Sequence, residues 1–407
     1  MTYDDLLRDL WAMGHGKGMR LGLDRVGAAS ERLGNPAQAY PAVHVAGTNG
    51  KGSVCHVAAW ILRAHGLRVG LTTSPHLHRL TERVLVDGEE VGSPELADVA
   101  ASVRGRLGGW DAFDLTFFEV VTLLAFEVFR RRRVDVAVVE VGMGGRLDAT
   151  RLCRPAVCAI TTIGLDHTEH LGPTIPLIAA EKAGIIVPGV PVVLGDLVPE
   201  AREAIVRRAR EVGAEVVDPP PWDTDPPLPG EHQRANAAVA ACAAAIALRA
   251  AGIEPDRALL RPAPFVVPGR LELLRGDPPV LFDVAHNPQG AASLAAHLER
   301  SVGPARLVLG TMGTKDHAGI LAALRPAARH LHACAPRMPG AVPPGRLAEA
   351  WPGPSTVHEC PVEAFDAAVV AARGAGETVV VTGSHYVVCE ARAAALGIAD
   401  ADWPIAL

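Results

Sequence analysis

Aromatic side chains are scarce in this sequence: Phe, Trp and Tyr make up 4% of its 407 residues, while 49% are hydrophobic. A core of small and branched aliphatic chains packs in tight layers, which suits an α/β domain and leaves no room for global disorder. Basic charge is not in excess either. The 39 Lys and Arg face 45 Asp and Glu, a formal net charge of -6, so no field draws in a polyanion and nucleic-acid binding is not expected. Any anionic ligand must be held by local groups. The seven cysteines are an odd number without a C-x-x-C pair, which excludes a disulfide framework and a zinc knuckle and predicts reduced, mostly buried thiols. No charge-free apolar run is long enough to cross a bilayer, so no membrane partner is expected. The N-terminal "MTYDDLLRDLW" carries acids where a secretory leader carries bases, and a cytoplasmic location is expected. No repeat of solenoid spacing is present.

The length exceeds one ordinary core, and two domains are expected. "AVHVAGTNGKGS" runs from a short apolar strand into a glycine turn, and "VCHVAAWILRAHG" continues as a helix ending at Gly66. "FFEVVTLLAFEVFRRRR" reads as a buried helix whose four arginines form a solvated end. "VDVAVVEVGMGG" suits a parallel strand covered on both faces, and "AVCAITTIG" and "IPLIAAEKAGII" add another strand and helix. The pattern is a doubly wound, mostly parallel sheet. "VDPPPWDTDPPLPG" is too rich in proline for a helix or central strand and reads as a rigid loop, followed by the Ala-rich helix "HQRANAAVAACAAAIALRAAG". A second proline-rich passage, "RPAPFVVPGRLELLRGDPP", is the better linker. Strand and helix then alternate again in a smaller α/β domain. The boundaries expected are 1–267 and 268–407.

The segment "HVAGTNGKGSV" shares parts with the phosphate-binding loop G-x-x-x-x-G-K-[ST], but Gly52 separates Lys51 from Ser53. Gly47, Gly50 and Gly52 let backbone N–H groups approach phosphate oxygens, Lys51 supplies charge, and Ser53 opens the helix as a candidate Mg²⁺ ligand. A purely structural turn leaves Lys51 and Ser53 unexplained. Glu140 interrupts an apolar strand, so its charge must be paired or metal-bound. His167, with His170 as its substitute, follows the next strand, where a hydrogen-bonded loop histidine is the competing reading. Lys182 lies between apolar turns of a helix. As an ammonium 4 Å from Mg²⁺ it would meet roughly 8 kcal/mol of repulsion. It therefore holds phosphate or a carboxylate, is carbamylated by CO₂ into an anion, or simply snorkels to the surface.

Together with these residues, "TSPHLHRLTERV", "VEVGMGGRLDAT", "GLDHTEHLG", "EKAGI", "GEHQRANAAVA", "VPGRLE", "FDVAHNPQGA" and "TGSHYVV" resemble, in this order, the motifs of folylpolyglutamate synthase/dihydrofolate synthase in the Mur ligase superfamily. The resemblance spans almost the whole chain. It implies a P-loop ATPase domain of Mur ligase type followed by a smaller Rossmann-like domain, acting as an ATP-dependent acid–amino-acid ligase. ATP phosphorylates a pterin-linked carboxylate, and the amine of L-glutamate attacks the acyl phosphate. Dihydropteroate or a reduced folate, L-glutamate, ATP and Mg²⁺ are the implied partners, and a monomer is expected.

By matching positions, the resemblance assigns Gly47, Thr48, Asn49, Gly50, Lys51, Gly52 and Ser53 to the ATP phosphates and Ser53, Glu140 and His167 to the metal. It makes Lys182 the carbamylated lysine, places Asn236 and His232 on the adenine side, and has Arg270 reach the phosphates from the second domain. Asp283 and His286 would serve the nucleotide and the glutamate step, with Ser384 close by. For the pteroate pocket it points to Phe118, Asp148 and Ala149, with Arg83 holding a substrate carboxylate or a neighbouring acid. The sequence departs from the family at Arg151, at Ser384-His385-Tyr386 and in "IIVPG", and its connection from Lys182 to His232 is short, which predicts a small β-extension trimmed to the proline-rich loop. Two other readings are weighed: a Mur-type ligase for another carboxylate, such as a cell-wall precursor, and a nucleotide-binding protein without ligase activity.

Overall fold

The computed structural model describes residues 1–16, 20–399 and 401–402. The chain divides into two compact units. Of the described residues, the first comprises those within 1–227 and 234–263, and the second those within 228–233 and 264–402.

The first unit is built on a sheet of eight strands: β1 (Pro41–Ala46), β2 (Val69–Thr72), β3 (Val84–Val86), β4 (Glu89–Glu90), β5 (Val136–Glu140), β6 (Arg154–Ile160), β7 (Val192–Leu194) and β8 (Val216–Val217). Their order is β4-β3-β2-β5-β1-β6-β7-β8. Among the described strands β3 alone, near one edge, runs against the rest, pairing antiparallel with both β2 and β4. β1 pairs in parallel with β5 and β6, and Val45 lies opposite Glu140, so the ends of three strands converge on the turn that follows β1. Val136 to Val139 are at most 3% exposed, as expected of a strand covered on both faces. One hydrophobic cluster joins the sheet to helices Tyr3–Gly16, Asp24–Arg32, Ser93–Leu107 and Phe117–Arg132. Another joins it to helices Ile175–Ala183 and Pro199–Glu211. Between residues 182 and 232, β7, helix Pro199–Glu211 and β8 precede the proline-rich stretch, whose residues 218–232 carry no helix or strand.

Helix Phe117–Arg132 opens on a capping box, the Thr116 hydroxyl accepting from Glu119 N and the Glu119 carboxylate from Thr116 N. Its arginine end is more than solvated. Glu127, 1% exposed, accepts from Arg130 at 2.6 and 2.9 Å and from Arg131 at 3.0 Å, while Arg131 also reaches Asp98 and Arg132 pairs with Glu95 on helix Ser93–Leu107. A buried carboxylate three and four residues upstream turns a charge run into an ion-paired clamp.

The second unit carries six strands: β9 (Glu272–Leu274), β10 (Val280–Phe282), β11 (Ala305–Leu309), β12 (Ala328–Ala333), β13 (Ser355–Val357) and β14 (Thr378–Thr382). The order is β13-β12-β11-β14-β10-β9, and among the described strands of this sheet only β9 is antiparallel. β9 lies inside the passage read as linker. Three residues are too few to show a strand's period, and its pairing with β10 is what defines it.

Candidate active site

The turn after β1 is held in place by the segment after β6. Thr48 N donates to Thr162 O at 2.6 Å, Asn49 N to the Thr162 hydroxyl at 3.2 Å, and the Thr161 hydroxyl to Asn49 O at 2.6 Å. Two of the glycines are sterically required. At Gly47 (φ 152°) a Cβ would lie 1.8 Å from Thr161 Oγ1, and at Gly50 (φ 85°) 2.4 Å from Asn236 Oδ1. Asn236, on helix Gln233–Ala250, therefore sits directly against the turn. Helix Lys51–Ala64 begins here, and its first intrahelical bond runs from Val54 N to Gly50 O at 2.9 Å, so the amides before it point out of the positive end of the helix.

Three charged side chains meet at this turn. Lys51 Nζ lies 3.3 Å from Thr48 O and 3.9 Å from Glu140 Oε1, and Glu140 Oε2 accepts from Ser74 N at 3.0 Å. Lys182, 5% exposed, donates to Gly47 O at 2.8 Å. Ser53 is buried in the first turn of the helix. His167 lies past β6 with φ 49° and Nε2 3.9 Å from Asp166 Oδ1; His170 is exposed. Among the described residues no three His, Cys, Asp or Glu side chains are set to hold a metal. A serine hydroxyl and one buried carboxylate beside a helix N-terminus instead fit Mg²⁺, which takes few protein ligands and completes its shell with phosphate oxygens and water.

Next to Glu140 lies a small recess that opens to solvent and is lined by Ser74, Arg83, Phe118, Thr122 and Thr150, and it marks the mouth of a candidate cleft. Phe118 owes its place to Gly142, where a Cβ would lie 2.4 Å from Phe118 Cζ. Asp148 turns inward, accepting from Met143 N and Thr150 N at 2.9 Å each and from the Thr150 hydroxyl at 2.5 Å. Burial raises its carboxyl pKa and those bonds oppose the rise. His44 Nε2 contacts the other side of the Thr150 hydroxyl at 2.9 Å, and burial, then the charge of Arg151, holds that imidazole down to about 3. Thr150 thus reaches the cleft, while Asp148 braces its loop and Ala149 is buried in the short helix Ala149–Leu152.

In the second unit Asp283 follows β10 and accepts from Leu271 N at 3.0 Å and Ala285 N at 2.9 Å. Burial pushes its carboxyl up, and the Arg270 charge pulls it back. His286 Nδ1 contacts Val284 O at 2.8 Å, and its ring lies 5.2 Å from that of His385. Ser384 caps helix His385–Leu396 through Tyr386 N. β10 and β14 are parallel neighbours, so Asp283, His286 and Ser384 share one end of the sheet, with Arg270 beside them. His232 is exposed and lies by Leu271, both within reach of a Cβ at Gly230.

Sequence reasoning passed over Thr161 and Thr162, whose hydroxyls and backbone hold the turn, and His44 behind Thr150. A paired threonine directly after a buried strand was the available signal.

A parallel sheet ending in a glycine turn, a lysine and a buried glutamate, joined to a second α/β unit, defines a Mur-type ligase. The descriptions "Mur ligase middle domain" and "Mur ligase, glutamate ligase domain" match residues 45–191 and 269–385. The dihydrofolate synthase/folylpolyglutamate synthase of Escherichia coli is 38% identical over 402 residues, covering 92% of this chain and 91% of its own. The structure of E. coli FolC in complex with DHPP and ADP superposes with a TM-score of 0.88 at 34% identity over 98% of both chains. A bifunctional enzyme of the same name with Mn, AMPPNP and L-glutamate bound gives 0.86 at 33% identity, again over 98% of both. The chain belongs to the folylpolyglutamate synthase/dihydrofolate synthase family.

Proposed function

We propose that the protein joins L-glutamate to dihydropteroate, to reduced folates, or to both, at the expense of ATP. The observation that carries this reading is the meeting of Lys51, Glu140 and Lys182 around Gly47, beside a cleft that presents Phe118 and Arg83. Residues 1–267 would bind nucleotide and acid substrate, and residues 268–407 would serve the glutamate step.

An oxygen of the acid's carboxylate attacks the terminal phosphorus of ATP, the bridge to the β-phosphate breaks, and ADP leaves. The glutamate amine, having lost a proton, then attacks the acyl carbon; phosphate departs and an amide remains. Ser53, Glu140 and His167 would hold Mg²⁺, which when bound would supply positive charge for the transferred phosphoryl group. The helix N-terminus and the amides of Gly47 to Ser53 hold the phosphates, and Lys51 moves its charge from Glu140 to them. Lys182 is carbamylated: its nitrogen keeps one N–H for Gly47 O, and its new carboxylate is an anion that suits a metal-bearing site. Within the second unit, Asp283, His286 and Ser384 share one end of the sheet with Arg270 beside them and would serve the glutamate step, and Asn236 of the first unit would take the adenine side. The seven cysteines are free thiols, which suits a reducing cytoplasm.

The test is ADP release and product mass with dihydropteroate and with tetrahydrofolate, each with glutamate and ATP. A product heavier by one glutamyl residue, with ADP formed only when acid and amine are both present, is expected. ADP released in the absence of both overturns the reading.

A further inference from the structure

Beside the cleft lies a contact that the reaction above leaves unused. Between β2 and β3 the chain turns through residues 73–83, and Glu82 organises that turn by accepting from the amides of Leu77, His78 and Arg79 at 2.7, 2.8 and 2.9 Å. The turn brings His76 onto Arg83. Arg83, 1% exposed, lines the cleft, stacks with its Cζ 5.0 Å from the centroid of the Phe117 ring, and donates from Nε to His76 Nδ1 at 2.7 Å.

That bond fixes a tautomer. Arginine Nε is always a donor, so His76 Nδ1 must accept; the imidazole is neutral and carries its proton on Nε2. A second proton on Nδ1 would break the contact. Burial, then the charges of Arg83 and His78, hold the His76 pKa well below its ordinary value, in agreement with the geometry. Nε2 is buried without a hydrogen-bond partner among the described residues, so the bond to Arg83 is the hydrogen bond that orients this packed ring. A carboxylate at position 76 would grip the guanidinium more strongly but would cancel its charge. A neutral acceptor fixes the plane of the guanidinium and leaves the charge in place, and a fixed plane is what a two-pronged carboxylate contact requires.

We infer that His76 is a positioning residue for the acid substrate: its neutral imidazole orients Arg83 toward a substrate carboxylate without neutralising it. The inference rests on the cleft being the pocket for the folate-type acid. Three variants of the full chain test it. His76→Asn keeps an acceptor at the Nδ1 position, His76→Asp keeps the acceptor and adds a negative charge, and His76→Leu removes both. For His76→Asn, KM for the acid substrate should stay within about threefold of wild type. For His76→Asp it should rise about tenfold or more, the worth of one charge-assisted hydrogen bond, with KM for ATP unchanged and the thermal midpoint equal to or above that of wild type. His76→Leu should raise the same KM and lower the midpoint. A wild-type KM in His76→Asp overturns the inference, as does a loss in all three variants that tracks the thermal midpoint. If the wild-type protein itself makes no product from dihydropteroate or tetrahydrofolate, the reading of the cleft fails and this inference fails with it.

Discussion

Gly50 and Gly27 separate what a glycine does at a turn from what it does in a helix. At Gly50 the backbone is left-handed, and a Cβ would lie 2.4 Å from Asn236 Oδ1; at Gly27, inside helix Asp24–Arg32, nothing lies within 4 Å of one. Gly50→Ala is expected to destabilise by about 1–3 kcal/mol and to weaken nucleotide binding at least tenfold, because backbone and side chain both resist the change. Gly27→Ala is expected to stabilise by up to about 1 kcal/mol. Urea unfolding and calorimetric titration with AMPPNP measure both. Lys182 poses a chemical question instead. In ¹³C-labelled bicarbonate the proposed carbamate should give one carbonyl resonance that Lys182→Met abolishes; a plain amine in the magnesium-loaded protein excludes it. Burial of this lysine and its bond to Gly47 O were beyond the reach of the sequence, since a helix pattern shows which positions face inward but not which strand end they meet.

At the scale of an element, β12 and the neighbouring β13 segment carry an acid-sensitive cluster. The Thr356 hydroxyl lies 3.3 Å from His330 Nε2, 3.1 Å from His332 Nδ1 and 2.9 Å from His358 Nε2, with Arg306, Glu377 and Glu363 as the charged neighbours. Burial, then the charges of His330, His358 and Arg306, holds His332 down to about 3. The sign follows from linkage: an unfolded histidine titrates near 6.5, so below that pH the unfolded chain binds a proton the folded one refuses, and stability falls with pH. Between pH 7.5 and 5.5 His332 should contribute a loss of about 1 kcal/mol, and His332→Asn should remove that part of the decline. Chemical denaturation at both pH values measures it; equal declines in the two proteins would refute the assignment. Element type was largely legible where buried runs were long, as at β5 and helix Phe117–Arg132. It was not at β8 or β9, of two and three residues, where pairing rather than pattern makes the strand. The same limit applied to the phosphate turn: its spacing announced the chemistry, but the threonines that hold it lie more than a hundred residues away in sequence.

For the whole molecule, the decisive quantity is the linkage between nucleotide, metal and stability. A ligand that binds only the folded protein stabilises it by about 2.7 kcal/mol at a hundred times its Kd. For a unit of this size that is a rise in melting temperature of about 5–10 °C. The chain folds as two compact units, so heating can melt them separately, and the transitions that AMPPNP with Mg²⁺ raises should include that of the unit containing Gly47 to Ser53. Lys51 and Glu140 lie 3.9 Å apart, within that unit. Each has its own expected effect. Lys51→Met should reduce the shift even with saturating Mg²⁺, because a phosphate contact is lost; Glu140→Gln should make the shift require higher Mg²⁺, because a hard anionic donor is lost. EDTA should reduce the wild-type shift toward that of Glu140→Gln. Differential scanning calorimetry of the three proteins, with and without EDTA, separates these outcomes, and a wild-type shift insensitive to both the chelator and Lys51→Met would place the triphosphate away from the turn after β1.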